Sequence, residues 1–166
     1  MSNFAPIKLG SKQFRGSSKK LLEFDTNVEF DAHSFSDVVF VSIYDNFQRS
    51  PENSATMQVD VITLRQIIVG IKGVLISGTT DLRLKTGGAG KVKILTIAPN
   101  EGESPASTFF INIKKDGVTY GAPFTRTQLQ AMSTTLERYC DNIDEKMMDL
   151  YYTKSIKQIK ASASKK

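Results

Sequence analysis

The chain has 166 residues, 40% hydrophobic and 23% charged, which suits one globular domain with a core of its own. No apolar run approaches the roughly 20 residues of a membrane helix, no signal-peptide core follows Met1, and one cysteine (Cys140) with one histidine (His33) excludes a disulfide framework and argues against structural zinc. The net charge of +5 comes in blocks, +5 over residues 1–20, −7 over 21–60, +5 over 61–100 and +2 over the last 26 residues, which suits a polyanion partner or, equally, solvated basic ends.

In chain order, residues 1–18 are rich in Ser, Lys and Gly and read as a flexible basic arm. LLEFDTNVEF (21–30) reads as two short strands around a turn at Thr26-Asn27. DVVFVSIYDNF (37–47), rich in β-branched and aromatic residues, is a strand, and the alternating TMQVDV (56–61) is the next, after the turn-rich loop QRSPENSA (48–55). The period then changes from two to 3.6. Leu64, Ile67, Ile68, Ile71, Val74 and Leu75 share one helix face, with Thr63 and Gln66 as a capping box and Gly78 as the stop.

The pattern then repeats. DLRLKT (81–86), KVKILTIAP (91–99) and STFFINIKK (107–115) read as strands, and a tight turn at Asp116-Gly117 leads into VTYGAPF (118–124). A second helix follows to about Tyr152, with Thr125 and Gln128 as its capping box and Leu129, Met132, Leu136, Tyr139, Cys140, Ile143, Met147 and Leu150 on its apolar face. The expected fold is α+β: two antiparallel four-stranded sheets, each followed by a helix, as a tandem ββββα arrangement. The domain spans 19–152, repeat one about 19–78 and repeat two about 81–152, with a basic tail at 153–166 ending in a frayed ASASKK.

KTGGAGK (85–91) has the look of a phosphate-binding loop but lacks its context. The position five before Gly90 is Lys85 rather than glycine, Val92 stands where a Ser or Thr is needed, and the segment leads into a strand. Without a following helix there are no convergent amides for a phosphate, so the loop reads as a connection. Cys140 lies on an apolar helix face and reads as core filling, no nucleophile elbow is present, and the acids of 21–60 have no metal-ligand spacing. The reading is therefore non-enzymatic, with no cofactor or metal.

Strand alternation supplies the candidate site. With the aliphatic set (Val39, Val41, Ile43, Leu82, Leu84, Val92, Ile94, Phe109, Ile111, Ile113) facing the helices, the outer faces carry Phe40, Tyr44, Gln58, Arg83, Lys85, Lys91, Lys93, Phe110, Asn112 and Lys114. Cations that track phosphates and aromatic rings that stack bases are the parts of a single-strand nucleic-acid surface. The competing readings are lysines that protect strand edges and phenylalanines that belong to a core or a subunit interface.

In this order of elements the chain resembles the Whirly family of single-stranded DNA-binding proteins, whose fold is shared with kinetoplastid mitochondrial RNA-binding proteins. The resemblance is carried by TMQVDVITLRQIIVGIKGVLIS, GKVKILTIAP and STFFINIKKDGVTYGAPFTRTQLQAMSTTLERY, with DVVFVSIYDNF in the place of an aromatic-containing strand, over about residues 19–145. It implies sheets set like blades, helices gathered inside a homotetramer, and single-stranded DNA lying along the sheets with little sequence preference, in replication, recombination or repair. RGSSKKLLEF stands where plant members carry Lys-Gly-Lys-Ala-Ala-Leu, so the higher assembly tied to that signature is not implied. The basic start lacks a long transit peptide, pointing to the cytoplasm of a bacterium or of a virus-infected cell rather than an organellar matrix. An RNA-binding or annealing protein of the same fold, or a structural assembly protein, is the alternative expectation.

Overall fold

The computed structural model describes residues 7–30, 35–87, 91–102 and 106–164. Residues 1–6 of the expected arm, His33, Gly88–Gly90 of the glycine loop, and 165–166 of the tail lie outside the described residues. The elements follow as β1 (Ile7–Arg15), β2 (Lys20–Phe30), β3 (Phe35–Asp45), one turn of 3₁₀ helix (Pro51–Asn53), β4 (Ser54–Val59), α1 (Val61–Ser77), β5 (Arg83–Thr86), β6 (Lys93–Pro99), β7 (Thr108–Lys115), β8 (Val118–Thr125) and α2 (Arg126–Ser164). They make two antiparallel four-stranded sheets, β1-β2-β3-β4 and β5-β6-β7-β8, each followed by a helix, as expected.

The first sheet reaches four strands by a different route from the one the sequence suggests. Ile7–Arg15 is a strand, not part of a flexible arm, and pairs along β2 with an irregularity between Lys8 and Ser11. Its Phe14 ring meets Phe24 edge-on at 6.0 Å, an apolar anchor that local composition does not reveal. Lys20–Phe30 is one strand rather than two, because β1 and β3 pair with it on both sides. At the expected turn, the buried Thr26 hydroxyl instead bonds the Tyr139 phenol of α2.

Both helices are set by their caps. The Thr63–Gln66 box is not the start of α1. Val61 is buried and joins the helix, so Asp60 is the N-cap and accepts from the Thr63 amide at 2.7 Å. Gly78, at φ 79°, closes α1 as expected, its N–H returning to the Val74 carbonyl at 2.8 Å. The second box forms in full: the Gln128 amide reaches Thr125 Oγ1 at 3.2 Å, and Gln128 Oε1 accepts from the Thr125 amide at 2.8 Å. From there α2 runs 39 residues, about 58 Å, well past Tyr152 and through most of the expected tail. The segment after Tyr152 contains no Gly or Pro to break the helix.

Hydrogen bonds from Thr63, its hydroxyl first and its amide second, hold the Asp60 carboxyl below the ordinary carboxylate range. Its folded-state pKa thus lies under the unfolded value. The stabilisation is complete above about pH 4 and is lost as pH falls through the folded value. Asp60→Ala is expected to cost about 1 kcal/mol at neutral pH and less in acid, as the carboxyl becomes protonated, measured by urea denaturation at both. An equal loss at the two pH values contradicts this account of the cap.

One hydrophobic cluster joins the layers: Leu22, Phe24, Val41, Ile43 and Met57 from the first sheet, Leu95, Ile97, Phe109, Ile111 and Ile113 from the second, with the inner faces of α1 and α2. Across the helices, Arg65 pairs with Asp141 at 3.2 Å and Asp144 at 2.5 Å, and Lys72 pairs with Glu137. β8 runs past the turn end of the first sheet, touching β2 and β3. Tyr120 Oη donates to the Glu52 carbonyl at 3.0 Å, Lys115 Nζ donates to the Pro51 and Ser54 carbonyls at 2.6 and 2.9 Å, and a Cβ on Gly16 would lie 2.7 Å from the Pro123 carbonyl oxygen.

Candidate nucleic-acid interface

The register of the second sheet decides which side chains share its outer face. One row across the four strands is Arg83, Thr96, Asn112 and Gly121; the next is Lys85, Ile94, Lys114 and Thr119; a third is Ala98, Phe110 and Pro123. The opposite face carries the buried Leu95, Ile97, Phe109, Ile111, Ile113, Tyr120, Ala122 and Phe124. The face parity of β5 and β7 therefore agrees with the sequence expectation. That of β6 is inverted: Leu95 and Ile97 point inward, and Ile94 and Thr96 point out.

This inversion divides the expected cations. Arg83, Lys85 and Lys114 are exposed and lie together on the outer face with half-buried Phe110 and Asn112. Lys93 belongs to the core-side face, in the row of Thr86, Lys115 and Val118 at the sheet's end. The error comes from reading KVKILTI from its lysines, whereas burial of Leu95 and Ile97 against the helices sets the register. Lys91 is exposed but precedes β6, in the connection from β5. Within that connection Gly87 has φ 102°, and a Cβ there would collide with the Lys91 carbonyl, so the first glycine serves a close backbone approach.

No strand of the second sheet contains Asp or Glu; Asp81 and Asp116 lie in the connections. The centre of the face is also low. Gly121 faces Asn112, and a Cβ at 121 would collide with Asn112 Oδ1 while coming within 3.5 Å of the Phe110 ring. Thr96, Ala98 and Gly121 leave a shallow floor between the Phe110 ring and the cations. Gly121 is a site feature that the sequence reading passed over; a glycine inside a strand, marking a close approach, is the signal that points to it.

The other three expected residues sit on the outer face of the first sheet, in different surroundings. Phe40 is half-buried between Asp25 and the exposed Gln58 in the register. Tyr44 is buried rather than open. Arg49 covers its ring at 5.0 Å, its Oη donates to Glu23 Oε1 at 3.2 Å, and burial pushes its phenol above the usual range. Glu23, only 5% exposed, also accepts from Arg49 at 3.0 Å and from Gln13 at 2.6 Å. An outer face holding Glu23 and Asp25 is less suited to a phosphate chain than the acid-free face of the second sheet.

Cys140 is buried on α2, and burial pushes its thiol up to about 11, so it stays protonated at neutral pH. Among the described residues no cluster of three or more His, Cys, Asp or Glu is placed to hold a metal, and no helix is long and apolar enough to cross a membrane. No protein-family model, curated protein or solved structure matches the chain.

Proposed function

We propose that this protein binds single-stranded DNA non-catalytically and with little sequence preference, using the outer face of its second sheet, and serves DNA replication, recombination or repair. The observation that carries this reading is the acid-free face itself: Arg83, Lys85 and Lys114 around Phe110, Asn112 and the low floor at Gly121. Cations on β5 and β7 neutralise a phosphate chain, and a half-open ring accepts any base on its π face. Contacts to phosphate and to a ring face carry no base identity, which suits binding with little sequence preference. The tandem ββββα order and this face together favour a Whirly-like protein. The same face would accept RNA, which makes RNA binding the alternative outcome. A location in the cytoplasm of a bacterial or virus-infected cell belongs to the same reading.

Self-association through α1 is part of the proposal, as a homotetramer by analogy with the Whirly arrangement. α1 is apolar on two sides. Beyond its buried face, Ile62, Val69 and Ile76 are exposed, and the first two line an open groove of about 730 Å³ with Leu82 and Arg83. An exposed apolar stripe on the side of a helix away from the core marks a contact surface.

Fluorescence anisotropy with labelled single-stranded DNA, duplex DNA and RNA of one sequence at two salt concentrations tests the reading. The expected result is preferential single-strand binding that weakens steeply with salt. Undetectable binding at low salt removes it, RNA preference selects the alternative, and a sedimentation mass of one protomer removes the self-association.

A further inference from the structure

We infer a second stacking position for the bound strand, at the turn end of the first sheet, built on Phe47 with Arg15 and Arg49. It rests on the proposed nucleic-acid reading and extends it beyond the second sheet.

The first observation is a residue in the wrong conformation for its side chain. The turn from β3 toward β4 is closed by the Gln48 N–H on the Asp45 carbonyl at 2.9 Å, and its two central residues, Asn46 and Phe47, have φ of 53° and 59°. Asparagine tolerates that region; a bulky aromatic residue does so only under strain. Glycine or asparagine is the unstrained choice at position 47. The ring gains little burial in return, since Phe47 is 45% exposed. An exposed aromatic held in a costly backbone conformation points to a use for the ring.

The second observation is what surrounds it. The Arg15 guanidinium lies over the Phe47 ring at 5.5 Å, and Arg49 lies over Tyr44 at 5.0 Å. Exposed Lys19 adds charge from the neighbouring β1–β2 turn. The acids at this end are already engaged, Asp45 by Lys20 at 2.7 Å and Glu23 by Arg49 at 3.0 Å. With Arg49 held by Glu23, the exposed Arg15 and Lys19 supply the charge, and an open ring beside such cations is the combination that holds a base and its phosphate.

The third observation is continuity with the second sheet. Pro123 sits in the outer-face row of Phe110, one strand spacing of about 5 Å away. It is buried, and the Gly16 turn next to Arg15 lies against it: a Cβ on Gly16 would be 3.2 Å from Pro123 Cδ. The Phe110 face and the Phe47 turn thus meet at the Gly16–Pro123 contact. A strand seated on the second sheet and continuing past β8 reaches Arg15 and Phe47 next.

The test compares wild type, Phe47→Asn and Phe47→Tyr, with anisotropy of a short oligothymidylate (about 8 nucleotides) and a longer one (about 20 nucleotides). Phe47→Asn suits the left-handed backbone and removes the ring. It is expected to raise Tm while weakening the longer strand about 5- to 150-fold, the range for losing one stacked base, and to leave the short strand unchanged. Phe47→Tyr keeps the ring and retains wild-type affinity. Unchanged affinity of Phe47→Asn for the longer strand overturns the inference, as does an equal loss for both lengths. Absence of short-strand binding by the wild type instead overturns the reading of the second sheet.

Discussion

Replacing Arg83, Lys85 and Lys114 together by alanine is expected to lower affinity for single-stranded DNA by about 100-fold, with no change in fold. Each of the three is exposed on the outer face of the second sheet. An exposed ionic contact contributes up to about 1 kcal/mol, so three contribute about 3 kcal/mol, which is on the order of 100-fold. The slope of log affinity against log salt should fall by about 2, since each phosphate contact to a single strand contributes about 0.7. The loss should be equal for all sequences, because phosphate contacts carry no base information. Lys93→Ala is the internal control: it removes one positive charge from the opposite face and is expected to leave affinity nearly unchanged. Salt titration of the two variants measures both effects. If Lys93→Ala weakens binding as much per charge as the triple variant, the strand lies elsewhere and the outer face is not its seat.

Two adjacent phenylalanines on β7 should behave as different residues. Phe109 is fully buried in the shared core, with Arg126 over its ring at 5.6 Å; Phe110 is its neighbour on the outer face. Phe109→Ala is expected to cost about 3–5 kcal/mol, the transfer of a large ring plus the cavity it leaves. That is a large part of the about 5–15 kcal/mol that holds a domain folded. Phe110→Ala is expected to cost far less stability but to weaken DNA binding about 5- to 150-fold, the worth of one base-stacking contact. Chemical denaturation and anisotropy on the two variants separate the effects. Equal destabilisation by both would show that the outer face of β7 is covered and unavailable to a strand.

Much of this fold is legible in the residues because its signals are local. The Phe-Phe pair splits between faces by strand period alone, and β7 obeys it. The Thr125–Gln128 box marks the start of α2 because both bonds form within four residues. Gly78 marks the end of α1 for the same kind of reason, a left-handed backbone at one position. Where two local signals compete, locality fails. Thr63-Gln66 and Asp60-Thr63 both offer caps to α1, and the burial of Val61 selects the second.

The candidate site divides in the same manner. Arg83, Lys85, Phe110, Asn112 and Lys114 come together on one face through the two-residue period and the register. Lys93 is lost because a strand such as KVKILTI alternates whichever way it is turned, and only packing of Leu95 and Ile97 on the helices orients it. Tyr44 has the correct parity, yet Arg49 and Glu23 close over it from other parts of the chain. Glu23 and Asp25 lie on the first sheet's outer face, whereas the strands of the second sheet carry no acid, so the two outer faces differ in charge despite their shared topology.

By itself, then, the sequence determined the order of elements from β3 onward, the two-fold ββββα pattern and the inward faces of most strands. Each follows from hydrophobic period and from turn chemistry within a few residues. Tertiary structure alone decided that Ile7–Arg15 is an edge strand, that Lys20–Phe30 is continuous, which way β6 faces, and that Gly16 meets Pro123. Each of these depends on pairing or packing with residues distant in the chain, and the free energy of such contacts is set by the partner surface, not by the segment that meets it.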